Sequence, residues 1–116
     1  MDTELFLDML NIDSTSGKEA GFADFLAGRL EGSGRRIETF DVGDGTRNLL
    51  VSWGTPKVIF CSHLDTVPPY IAPNVMSGEG ETSSSAIFHG RGTCDAKGQI
   101  FAMYEACKTL EAKGCT

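Results

Sequence analysis

Three side chains, among the many in this sequence of types that bind protons or metal ions, stand in two motifs whose spacing carries chemical meaning. His63 and Asp65 lie in VIFCSHLDTVPPY (residues 58–70), and Asp95 lies in HGRGTCDAKG (residues 89–98). Such groups are costly inside an apolar core but cheap at the mouth of a sheet. In open α/β sheets, ligands collect outside the carboxyl ends of the strands. If the apolar run before His63 is a strand that persists, His63 and Asp65 point to the same side. The carboxylate can then take the hydrogen bond from one imidazole nitrogen and leave the other free to face a metal. A surface histidine beside a turn aspartate is the plainer alternative. Pro68 and Pro69 stiffen the exit from this segment.

The second segment has the glycines of a nucleotide loop but not its pattern. The dinucleotide fingerprint started at Gly90 meets Asp95 where its last glycine belongs, and Lys97 is followed by Gly98 rather than Ser or Thr. Asp95 would also repel a phosphate. A carboxylate just before a helix has a simple structural role as a cap at the positive end of the dipole. Taken singly, each segment therefore has a bland reading beside the chemical one.

The elements that must position these groups are legible from periodicity. Leu5, Phe6, Met9 and Leu10 have helical spacing. Ser16 and Glu19 match the S-x-x-E capping box, and Phe22, Phe25, Leu26 and Leu30 predict a second helix over 17–31, ended by Gly32 and Gly34. Residues 35–42 and 48–53 predict strands, the first of them an edge strand. Residues 57–62 contain four consecutive apolar residues and predict a strand buried on both faces. Residues 74–85 are polar and Gly/Ser-rich and predict a loop, and 86–89 a short strand. Ile100, Met103, Tyr104, Cys107 and Leu110 predict a third helix over 97–113, with Glu105 and Glu111 on its solvent face. This order implies an α/β fold, a three-layer sheet with helices on both faces.

Composition narrows the function classes. The chain has 116 residues, is 41% hydrophobic and 22% charged, and reads as one globular unit. A net charge of −6 with scattered Lys and Arg argues against nucleic acid. No apolar run approaches the roughly 20 residues that span a bilayer, so no membrane partner is expected. The four cysteines form no CxxC pair and the N-terminus is acidic rather than basic then apolar, which predicts reduced thiols and a cytoplasmic location. Cys61 and Cys107 read as small core residues, His89 as structural or surface, Arg91 as a loop brace, and Lys97 as a cap or partner of a carboxylate. Cys94, beside Asp95, is a poor third ligand, because alternate side chains in a turn need not converge.

Together, HLDTVP and the aspartate of GRGTCDAKG, 32 positions after His63, resemble the dinuclear zinc amidohydrolases. That family includes acetylornithine deacetylase, succinyl-diaminopimelate desuccinylase, aminoacylase, carnosinase-type dipeptidases and glutamate carboxypeptidases. The segment at residues 14–19 is similar to the start of its N-terminal helix. The resemblance covers the whole chain. It implies that His63 is a ligand of one zinc and that Asp65 is the catalytic-site carboxylate orienting it. Asp95 would be the carboxylate bridging two zincs, followed by a cis peptide to Ala96, with Gly92 and Gly98 giving the backbone room. It further implies hydrolysis of an amide bond in N-acyl amino acids or small peptides by a metal-activated water. Cobalt or manganese would suit the same donors.

The family's Glu-Glu pair, whose first member is the general base and second a zinc ligand, and its two further ligands, an acidic residue and a histidine, have no counterpart here. Two tetrahedral zincs sharing a bridge need about five protein ligands, and His63 and Asp95 supply two of them. The chain is thus expected to be the N-terminal part of a catalytic domain without its later half or its lid and dimerisation domain. Alone it should be inactive, with an empty or partly filled site. Uncovered sheet edges should drive self-association. A non-catalytic piece of the same fold, acting only through association, is the alternative.

Overall fold

The computed structural model describes residues 2–43, 46–76 and 86–115. Helix α1 (Thr3–Leu10) starts where the Asp2 carboxylate accepts the Leu5 N–H at 3.0 Å, and it buries Leu5, Phe6, Met9 and Leu10. Helix α2 (Glu19–Arg29) buries Phe22, Ala23 and Leu26. Strands β1 (Arg35–Gly43) and β2 (Thr46–Trp53) pair antiparallel in a hairpin whose register runs from Arg35 opposite Trp53 to Gly43 opposite Thr46. Strands β3 (Asn74–Met76) and β4 (Ile87–His89) form a second antiparallel pair, and helix α3 (Lys97–Ala112) follows.

The core lies among the helices. Phe6 of α1 has its ring centroid 5.1 Å from that of Phe88 on β4 and 5.1 Å from that of Phe101 on α3. Phe22, Leu26 and Leu30 close the cluster, and Ile37, Leu49 and Val51 pack on it from the hairpin. One polar hub ties the hairpin to α3. Arg35 donates to both carboxylate oxygens of Glu111 at 2.8 and 2.7 Å, to the Leu30 carbonyl at 2.8 Å and to the Tyr104 hydroxyl at 3.0 Å. Trp53 Nε1 donates to the same carboxylate at 2.7 Å. These bonds hold the Glu111 carboxyl down at about 2, with Arg35 the larger cause and Trp53 the next.

Several expectations need correction. Glu111 is only partly exposed and turns its carboxylate to this hub, where it accepts from Arg35 and Trp53. Glu105 forms an ion pair with Lys108 at 2.8 Å and is largely covered. On α3 the buried positions are Lys97 and Phe101, while Leu110 is 50% exposed. Residues 57–62 form no strand, and Val58, Ile59 and Phe60 are 74%, 78% and 55% exposed. A strand of this apolar type is stable only between two neighbours, and no strand among the described residues runs beside it. Cys61 is exposed for the same reason, while Cys107 is half-buried and its thiol is pushed up by burial. The fold is α/β as predicted, but its described strands form two separate two-stranded antiparallel sheets. Most of the loop predicted over 74–85 lies outside the described residues. Its first three residues are β3.

Candidate functional site

The two chemical segments meet because each is anchored to the start of the chain. Residues 14–16 run beside 64–66 through a parallel bridge between Thr15 and Thr66. Thr66 N–H donates to the Ser14 carbonyl at 2.9 Å, Ser16 N–H to the Thr66 carbonyl at 3.0 Å, and the buried Ser14 hydroxyl to the Leu64 carbonyl at 2.8 Å. Asp13 sets the approach, since one of its oxygens accepts from both the backbone and the hydroxyl of Thr15. Past the Pro68–Pro69 cis bond, the Tyr70 hydroxyl donates to the Leu10 carbonyl at 3.0 Å.

The second segment is fastened to the first. Arg91 donates through its backbone to Ile71 O at 3.0 Å and through Nε to Pro69 O at 2.9 Å, so it braces the loop as expected. Gly92 has φ of +92°, and a Cβ there would press at 3.2 Å on both Thr66 Cγ2 and Lys97 Cδ. At Gly98 a Cβ would collide with the Thr93 carbonyl. The Asp95–Ala96 peptide is cis. Lys97 neither caps α3 nor pairs with a carboxylate among the described residues, the two roles that its place in the sequence predicts. Instead it is fully buried and donates to the Met9 and Ile12 carbonyls at the end of α1, with Nζ 4.6 Å from the Phe22 ring centroid. Burial lowers its pKa to about 8. This clamp fixes the first residue of α3, two positions after Asp95.

The result is a short chain of polar contacts. His63 Nε2 lies 2.8 Å from Asp95 Oδ1. His63 Nδ1 lies 2.9 Å from the Asp65 carbonyl and 3.2 Å from Asp65 Oδ1. Asp65 Oδ2 in turn accepts from the Ser16 hydroxyl at 2.7 Å. The His63 and Asp95 side chains are 50% and 73% exposed, so the junction opens to solvent. The Asp65 carbonyl, and after it the Asp95 carboxylate, raise the pKa of His63. The Ser16 hydroxyl, and after it the charge of His63, lower that of Asp65. Both ring nitrogens face acceptors, so in the protonated ring the Nε2 proton bridges His63 and Asp95. An imidazole and a carboxylate are also a donor pair that suits a divalent metal, but metal–donor bonds of about 2.0–2.2 Å do not fit in line within 2.8 Å, so the two side chains must part to admit one. Among the described residues, no group of three or more His, Cys, Asp and Glu side chains converges on this position. Cys94 therefore joins no such group, and His89 is exposed on β4.

The capping box that Ser16 and Glu19 predict does not form. Helix α2 begins after Lys18 with no side-chain cap, and Glu19 reaches back to the Gly17 N–H at 2.8 Å. The Ser16 hydroxyl is thereby left for Asp65. The only sequence signal for this role was that residues 14–19 fall in the stretch resembling the family's N-terminal segment.

Residues 59–116 match the sequence profile of Peptidase family M20/M25/M40, so the chain belongs to that family. A probable carboxypeptidase of Aspergillus niger is 32% identical over 118 residues, covering 90% of this chain and 28% of that protein. N-acetyl-L-citrulline deacetylase of Xanthomonas campestris is 36% identical over 110 residues, covering 91% and 28%. The LysW-lysine/LysW-ornithine hydrolase of Sulfurisphaera tokodaii is 32% identical over 111 residues, covering 96% and 28%. The chain thus spans about a quarter of the length of the curated relatives it matches. No solved structure matches it. No helix among the described residues is long and apolar enough to cross a membrane.

Proposed function

We propose that this chain supplies part of the active site of a metal-dependent hydrolase. The complete protein cleaves an amide bond in N-acyl amino acids or small peptides, in the manner of acetylornithine deacetylase or a dipeptidase. The observation that carries this reading is the 2.8 Å approach of His63 Nε2 to Asp95 Oδ1 across 32 positions of sequence. Zinc is the proposed metal, with cobalt or manganese suited to the same donors. A divalent metal there supplies a Lewis acid that polarises the scissile carbonyl and lowers the pKa of water towards about 7. His63 presents Nε2, Asp95 presents its carboxylate, and Asp65 holds the His63 ring by accepting at Nδ1.

His63 and Asp95 are two donors, and about five are needed for a bridged zinc pair. We infer that the general base and the remaining ligands belong to the part of the protein not spanned by this chain, along with a lid and dimerisation domain. Residues 57–62 then become an inner strand of a three-layer sheet. The chain alone is proposed to be inactive. Four free cysteines suit a reducing compartment, and we place the protein in the cytoplasm.

The test is hydrolysis of a panel of N-acetyl amino acids and dipeptides by the full-length protein with added zinc. His63→Ala and Asp95→Ala should each abolish turnover and lower bound metal, and Asp65→Asn should cost about 10–100-fold in affinity or activity. Unchanged metal content and turnover in both alanine variants would reject the assignment. The exposed Val58, Ile59 and Phe60 favour a second reading, association through an uncovered edge without catalysis. Sedimentation of the chain should show oligomers, and a clean dilute monomer would count against it.

A further inference from the structure

We propose that Ser16 is a positioning residue of the metal site, acting through Asp65 on the His63 ring. The proposal rests on the reading of His63 and Asp95 as metal ligands. Each oxygen of the Asp65 carboxylate has its own neighbour. Oδ1 faces His63 Nδ1 at 3.2 Å and Oδ2 accepts from Ser16 Oγ at 2.7 Å. A carboxylate held at one oxygen can still swing about its side-chain torsion, which is broad for this residue type. Held at Oδ2 by Ser16 and drawn at Oδ1 to the His63 ring, it cannot turn without losing a contact. The His63 ring, bonded through Nδ1 to the Asp65 carbonyl at 2.9 Å and flanked by Oδ1, is then fixed in orientation, and Nε2 stays aimed at Asp95.

The placement of Ser16 is itself rigid. Its own N–H is bonded to the Thr66 carbonyl, and Thr66 N–H is bonded to the Ser14 carbonyl. Serine and carboxylate therefore sit on two backbones joined in register, 49 positions apart in sequence. Ser16 does no capping for α2, which starts at Glu19 without a side-chain cap. Its side chain is exposed, so removing the hydroxyl leaves no cavity and no buried orphan. The hydrogen bond to Asp65 is what the substitution removes.

The experiment measures the affinity of the full-length protein for Zn²⁺ by competition with a chelator, with thermal unfolding of the metal-free protein alongside. Ser16→Ala should weaken Zn²⁺ binding about 10-fold, the low end for groups that orient a ligand, with the metal-free melting temperature unchanged. Ser16→Thr, which keeps the hydroxyl, should restore affinity to within about 2-fold of the parent. Parental affinity in Ser16→Ala, while His63→Ala loses it, overturns the proposal and leaves the site reading standing. Equal weakening in the alanine and threonine variants overturns it too, as does a matching fall in metal-free stability. If His63→Ala and Asp95→Ala also bind like the parent, the site reading itself is wrong and the proposal falls with it.

Discussion

Replacing Lys97 by Met should change how stability depends on pH, in a direction the structure fixes. The Lys97 amine is fully buried and donates to the Met9 and Ile12 carbonyls. Those carbonyls, at the negative end of α1, and the Phe22 face favour the ammonium. Burial opposes it and wins, bringing the pKa from its ordinary 10.5 to about 8. The neutral amine still has two N–H groups, one for each carbonyl, so deprotonation need not break the clamp. Between about pH 8 and 10.5 the unfolded chain holds a proton that the folded chain has released. Stability contributed by this group therefore rises with pH across that window. At about 1.36 kcal/mol per pH unit, the gap between 10.5 and about 8 is worth about 3 kcal/mol. Urea unfolding under reducing conditions at pH 7 to 11, on parent and Lys97→Met, isolates this contribution from other titrating groups. The parent should gain about 3 kcal/mol on the variant over the range. A difference constant with pH would refute the account of a buried, easily neutralised clamp.

Two further substitutions test parts of the scaffold. Thr66 is 2% exposed and its hydroxyl has no partner among the described residues. Thr66→Val should therefore leave stability unchanged or raise it by up to about 1 kcal/mol in urea unfolding, whereas a clear loss would show that the hydroxyl is satisfied. Glu111, held at about 2 by Arg35 and Trp53, binds its proton less readily folded than unfolded. Its contribution is fully present above about pH 4.5 and is lost as pH falls towards 2. In acid titrations followed by circular dichroism, Glu111→Gln should be less stable than the parent at pH 6, with the difference shrinking towards pH 2. A difference that persists at pH 2 would contradict the ion-pair explanation.

What could be read from the sequence was local in origin. The spacing of Leu5, Phe6, Met9 and Leu10 predicts α1 and its buried face, because a helix satisfies its own backbone. His63 and Asp95 are identifiable through paired motifs, and the fold brings them within 2.8 Å of each other. The apolar run at 57–62 read as a strand, but strand formation depends on neighbours that spacing cannot supply. Ser16 shows a different failure. Ser-x-x-Glu is the same string whether the serine caps a helix or reaches a carboxylate 49 positions away. Glu111 reads as a solvent-face residue for a similar reason, since its partners Arg35 and Trp53 lie 76 and 58 positions distant. Lys97 could not be recognised as a buried clamp because its acceptors are backbone carbonyls, which carry no side-chain signature.

The most direct test of the central claim is anomalous diffraction at the zinc edge on crystals of the full-length protein grown with Zn²⁺. A peak within bonding distance of both His63 Nε2 and the Asp95 carboxylate is the predicted result. A fully occupied zinc site elsewhere, with the direct contact between His63 and Asp95 intact, would contradict it.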